Sequence, residues 1–244
     1  MKSKKIAVIL IAVAFMLVVV FSTVGLFTVK KVHVDFAVSE SINAEKIQRT
    51  LDGFVGANLL FLNTENVKAA LKDEYYMEIL SVDKQYPNVI NVKLKERREV
   101  YYLEHDGKYY VTTAKGFVLN ELTENPSSRD KIRLDIDGLS IQEIEVGSYV
   151  KTSDDTLLNV VFDMAESVNL TDCIKSISVF KMGSEQPDVT FETYTGVKIV
   201  VEKADVDGKA KAIMGLGAYD KKAGDHEKMF SCIRVNKEVV WSEN

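Results

Sequence analysis

The chain has 244 residues but only two cysteines, three prolines and three histidines. Cys173 and Cys232 allow one bridge at most, which excludes a disulfide framework. The alternative is two small apolar residues in the interior. His33, His105 and His226 lie far apart and none falls in H-E-x-x-H, so no zinc site is legible. No G-x-S-x-G or Cys–His arrangement offers a nucleophile. Gly215-Leu216-Gly217 lacks the third glycine and the strand context of a dinucleotide site and reads as a helix end. Asp135-Ile136-Asp137-Gly138 and Asp205-Val206-Asp207-Gly208 are too short for calcium loops and read as turns. No cofactor or metal is expected. Proline and glycine are too scarce for a long disordered spacer. Positive charge is also lacking. The net charge is −5 and the first 29 residues contribute +3, so the remainder carries −8, which argues against nucleic acid as a partner.

One long apolar run is present. Residues 6–27 contain no charge, only Ser22, Thr23 and Gly25 as interruptions. At ~1.5 Å per residue such a helix covers about 33 Å, enough for a hydrocarbon core. Lys2, Lys4 and Lys5 precede it and place a five-residue tail in the cytoplasm, with the bulk of the chain outside. The rival is a cleaved signal peptide, whose apolar region is ~7–15 residues and ends in an A-x-A-like site. This run is longer, and Ser22-Thr23-Val24-Gly25 is a poor cleavage site. The expectation is a single-pass anchor over residues 6–27.

Residues 28–97 follow the order strand, helix, helix, strand, strand. Val32 and Val34 alternate in a first strand. Ser41 is placed to cap a helix carrying Ile47, Leu51 and Phe54, which Gly53 and Gly56 end. Asn63 or Thr64 caps a second helix with Val67, Ala70 and Leu71 on its apolar stripe. Strands over residues 79–84 and 89–96 flank the Tyr86-Pro87-Asn88 turn, and Ile90, Val92 and Leu94 share one face. Two helices on one face of three strands make a small α+β domain.

Residues 98–244 read as a mostly β domain with flanking helices. Short strands are expected over residues 99–104, 108–112 and 117–121, turning at His105-Asp106-Gly107 and Ala114-Lys115-Gly116. A helix spans 154–167, a strand 174–179, and a hairpin folds around Thr195-Gly196. A second helix, over 206–216, carries Ala210, Ile213 and Met214, and residues 229–235 and 238–241 are the last extended pieces.

These words in this order resemble the bacterial cell-division family FtsQ/DivIB, whose first outer domain is a POTRA domain. Phe27-Thr28-Val29-Lys30-Lys31-Val32-His33-Val34 is similar to its aromatic-V-x-x-V-x-V opening phrase, and Gly56-Ala57-Asn58-Leu59-Leu60 to its G-x-N-L-L. Tyr86-Pro87-Asn88 and Glu96-Arg97 match its turn and closing pair. Glu99 stands where the family usually has proline, and Met77-Glu78-Ile79 where a proline often precedes the second strand.

The resemblance implies a non-enzymatic divisome scaffold at the septal membrane. It would bind FtsB/DivIC-like and FtsL-like coiled-coil membrane proteins, and other divisome components through the POTRA-like domain, and link them to septal cell-wall synthesis. It also implies that the final strands receive a partner by strand addition. Arg234 and Trp241 stand where the family has its arginine and tryptophan, and the candidate contacts are Phe230, Ile233, Arg234, Val235 and Trp241. The ordinary alternative is a terminal strand with Arg234 solvated and Trp241 plugging the core. Two other readings stay open: an anchored enzyme or ligand sensor of the envelope, and another POTRA-bearing protein of secretion or sporulation.

Overall fold

The computed structural model describes residues 10–16, 18, 25–36, 43–126, 131–166, 173–181, 186–205, 207–221 and 231–242. Residues 10–16 and 25–26 are helical. No helix among the described residues is long and apolar enough to cross a membrane, and much of the expected anchor lies outside them. The chain forms two compact units, Met1–Arg97 and Arg98–Asn244.

The first unit contains β1 (Lys31–Asp35), α1 (Ala44–Asp52), α2 (Thr64–Ala70), β2 (Met77–Gln85) and β3 (Val89–Glu96). The strand order is β1-β3-β2, with β1 parallel and β2 antiparallel to β3. Parallel neighbours need a crossover, which α1 and α2 supply. Ile90, Val92 and Leu94 are buried on one face of β3, with Ile47 and Leu51 of α1 and Val67 of α2 in the same core. Burying each such aliphatic side chain contributes about 1.5–3 kcal/mol. Ser41 lies outside the described residues. Asn43 caps α1 through a hydrogen bond from the Lys46 amide (2.9 Å), and Asn63 caps α2 through one from the Glu65 amide (3.0 Å). Ala70 is exposed, so the stripe of α2 reduces to Val67 and then Leu71, just past the helix end.

The second unit contains β4 (Tyr101–His105), β5 (Lys108–Thr112), β6 (Val118–Leu122), β7 (Ile132–Asp135), β8 (Ile141–Glu143), β9 (Lys151–Thr152), α3 (Asp155–Glu166), β10 (Ile174–Phe180), β11 (Asp188–Thr193), β12 (Lys198–Val201), α4 (Gly208–Lys221), β13 (Cys232–Val235) and β14 (Val239–Ser242). Nine strands form one sheet in the order β14-β13-β12-β11-β10-β7-β4-β5-β6. The whole is mixed α+β. Strand β7, absent from the sequence reading, runs parallel to both β4 and β10 and joins the early hairpins to the late ones.

Helices α3 and α4 pack on each other, and α4 lies over β12 and β13 and reaches β14. The side of α4 that meets the core is its small-residue side. Ile213 (49% exposed) and Met214 (44% exposed) point outward and Ala210 is also exposed, whereas Gly208, Ala212, Gly215, Leu216 and Tyr219 face the core. The cause is close approach. A Cβ on Gly215 would stand 2.6 Å from Ile199 Cγ2 and 3.0 Å from Val235 Cγ2, so a helix this near the sheet takes small residues.

This contact predicts a contrasting pair. Gly215→Val lowers the stability of the second unit by about 1–3 kcal/mol, because Ile199 and Val235 are β-branched and yield little. Gly217→Ala, with open space around it, is neutral or gains up to about 1 kcal/mol. The urea midpoint followed by fluorescence of Trp241, the chain's single tryptophan, checks both.

Candidate functional site

Period-two alternation and the register of the last strands fix the two faces of the sheet end. Ile199 pairs with Ile233 and Ile233 with Trp241, while Val200 pairs with Arg234 and Arg234 with Val240. The first row faces α4. The second row, which continues to Thr190 on β11, faces away from the helices.

Ile233 and Val235 are fully buried in the core under α4. That corrects their selection as contact residues: a partner cannot reach either side chain, and their strand is paired on both sides. Arg234 is exposed on the open face between Val200 and Val240. Its guanidinium donates a 3.0 Å hydrogen bond to Glu202, which holds its pKa above the ordinary arginine value and keeps it charged. Trp241 is half-buried on the helix-covered face and packs against the core. Arg234 and Trp241 therefore lie on opposite faces of the sheet. Phe230 lies outside the described residues.

The sequence reading missed Val240 and Glu202. Val240 is 52% exposed beside Arg234, and the alternation that turns Trp241 inward already places it on the open face. Nothing in the sequence marks Glu202, which meets Arg234 only through folding, 32 residues apart.

Among the described residues β14 has β13 on one side and no strand on the other. In an antiparallel edge strand, alternate N–H and C=O groups point outward. Natural edges are blunted by charge, proline or covering segments. The far edge shows such protection. The start of β6 is covered by the Gly147–Ser148 segment, through Val118 N–H to Ser148 O (2.8 Å) and Gly147 N–H to Val118 O (2.9 Å). Further along β6, Glu121 is ion-paired with Lys108 (2.7 Å). Strand β14 reads Val-Val-Trp-Ser, with neither charge nor proline.

Other chemistry is thin. No group of three or more metal-ligating side chains stands together among the described residues. Cys173 and Cys232 are separate half-buried thiols. A polar cleft of about 350 Å³ opens beside His105, Asp106, Arg133 and Asp135, and its lining includes no serine, threonine, cysteine or lysine.

Residues 27–97 match the POTRA domain of FtsQ type. The chain is 26% identical over 184 residues to the cell division protein DivIB of Clostridium tetani, covering 75% of this chain and 67% of that protein. It is 28% identical over 95 residues to DivIB of Clostridium acetobutylicum, covering 39% of this chain and 37% of that protein. It is similar at 10% identity to the solved extracytoplasmic domain of DivIB from Geobacillus stearothermophilus (TM-score 0.31, 53% of this chain, 97% of that one).

The exposed ion pair predicts that Arg234→Ala changes the stability of the second unit by less than about 1 kcal/mol, since such pairs contribute little. The same urea midpoint checks it.

Proposed function

We propose, from its similarity to the FtsQ/DivIB cell-division proteins, that the chain is a non-enzymatic division scaffold acting outside the membrane. Residues 6–27 anchor it, with residues 1–5 in the cytoplasm. The POTRA domain docks division partners near the bilayer. The second unit binds the outer segments of coiled-coil membrane proteins of the FtsB/DivIC and FtsL type, and so links the division ring to septal wall synthesis.

The observation that carries this reading is the β14 edge, which among the described residues has no further strand beside it and carries neither charge nor proline, in a sheet whose other edge is partly covered. An added strand gains affinity from backbone hydrogen bonds and selectivity from side chains on both faces. Trp241 and Val239 would meet it on one face, Arg234 and Val240 on the other. Tryptophan and arginine are the residue types that most often dominate such interfaces. Anchoring both partners in one membrane confines them to a plane and raises their effective concentration, so each contact need contribute only modestly.

Binding of a detergent-solubilised DivIC-type partner to the full-length chain tests the assignment. Arg234→Ala and Trp241→Ala are each expected to weaken capture about tenfold or more, the cost of a typical hot-spot residue. Unchanged capture in both variants removes the site. A fluorescent fusion gathered at mid-cell supports the division role, and an even distribution around the cell contradicts it.

A further inference from the structure

The end of the first unit where the chain leaves the apolar run is itself apolar and rigid. Residues 27–29 and 56–59 form a short antiparallel ladder: Leu59 N–H to Phe27 O (2.7 Å), Val29 N–H to Ala57 O (2.8 Å) and Gly56 N–H to Val29 O (2.9 Å), around a Thr28–Asn58 bridge. Gly56 holds φ at +93°, which a side chain would resist. Asn58 then fixes the next turn. Its side chain accepts from Leu60 N–H (3.0 Å) and its carbonyl from Leu62 N–H (2.9 Å). Leu59 is thereby buried completely, while Leu60 is 42% and Phe61 84% exposed. Water exposure of two large apolar side chains is unfavourable, yet hydrogen bonds on both sides hold them there.

Two further groups share this end. Lys84 at the end of β2 donates to Leu60 O (3.4 Å), and Tyr86, in the turn that follows, is more than half exposed with its ring edge-on to Phe27 at 6.0 Å. Residues 53–62 carry no charge, whereas Lys30, Lys31 and Lys84 stand nearby.

We propose that this tip, Leu60 and Phe61 with the Phe27–Tyr86 ring pair, is seated in the headgroup and upper acyl region of the bilayer and sets the tilt of the POTRA domain on the membrane. The inference rests on the anchor reading of residues 6–27. The occupant follows from chain continuity: the tip is hydrogen-bonded directly to Phe27, the last residue of the 22-residue charge-free run, with no linker between them. Aromatic rings partition to the interface, and lysines beside them meet lipid phosphates. A second attachment point beside the anchor converts a swivelling tether into a fixed platform.

The test uses the full-length chain in nanodiscs of phosphatidylcholine and phosphatidylglycerol, with and without bromine at both shallow and mid-chain acyl carbons. Three variants each add one tryptophan over the Trp241 baseline: Phe15→Trp within the apolar run, Phe61→Trp at the tip, and Lys72→Trp in the turn after α2, toward the other end of the domain. Interfacial burial of ~5–10 Å predicts that brominated lipid removes roughly half or more of the emission added at position 61 and almost none of that at 72. Quenching at 15 without quenching at 61 overturns the proposal and leaves the anchor intact. Equal quenching at 61 and 72 also overturns it, since no single end would then face the lipid. No quenching at 15 overturns the anchor reading and this proposal with it.

Discussion

The fit of α4 against the end of the large sheet is the contact on which the rest depends. Gly215 leaves no room for a methyl group between the helix and the Ile199–Val235 pair, and Gly208 sits as closely against Met164 of α3. Larger residues would lift α4 from β12 and β13, and β13 is what holds β14 in register. A four-residue strand at the end of a sheet has few hydrogen bonds of its own. Its order comes from Ile233 and Val235 beneath the helix and from Trp241 packed at the rim. The core therefore fixes the position of this edge of the sheet.

Division of labour between the two sheet faces follows from that packing. The covered face supplies stability through aliphatic pairs such as Phe191–Ile199–Ile233. On the open face Arg234 is steadied by Glu202 between two valines, and selectivity is the role proposed for it. An exposed ion pair adds little to folding but keeps a long side chain in place, which lowers the entropy lost when a partner meets it. In the first unit the same economy holds. Buried Leu59 ties down a turn whose next two residues face outward.

Much of this was readable in the chain, and the failures have definite causes. The order of the first five elements followed from alternation and from turn residues, because β3 is amphipathic and its Ile90, Val92 and Leu94 are all buried. Strand β7 escaped because it is four residues long, interrupted by Arg133, and defined only by partners distant in sequence. The buried face of α4 was not legible, because a helix lying this close to a sheet presents glycine and alanine to it and leaves Ile213 and Met214 outside. At the candidate site, the separation of Arg234 from Ile233 and Val235 was legible by period two. Which side was covered was not, because that depends on α4. The residues that the family resemblance pointed to combine buried side chains with exposed ones.

Hydrogen exchange at the amides of Val239–Ser242, with and without a DivIC-type coiled-coil partner, addresses the central claim most directly. If a strand adds to this edge, outward-facing amides of β14 that exchange freely in the isolated chain become protected in the complex. If the partner binds while exchange across β14 stays the same and protection arises elsewhere, such as along β6, the edge is not the docking site and the account fails.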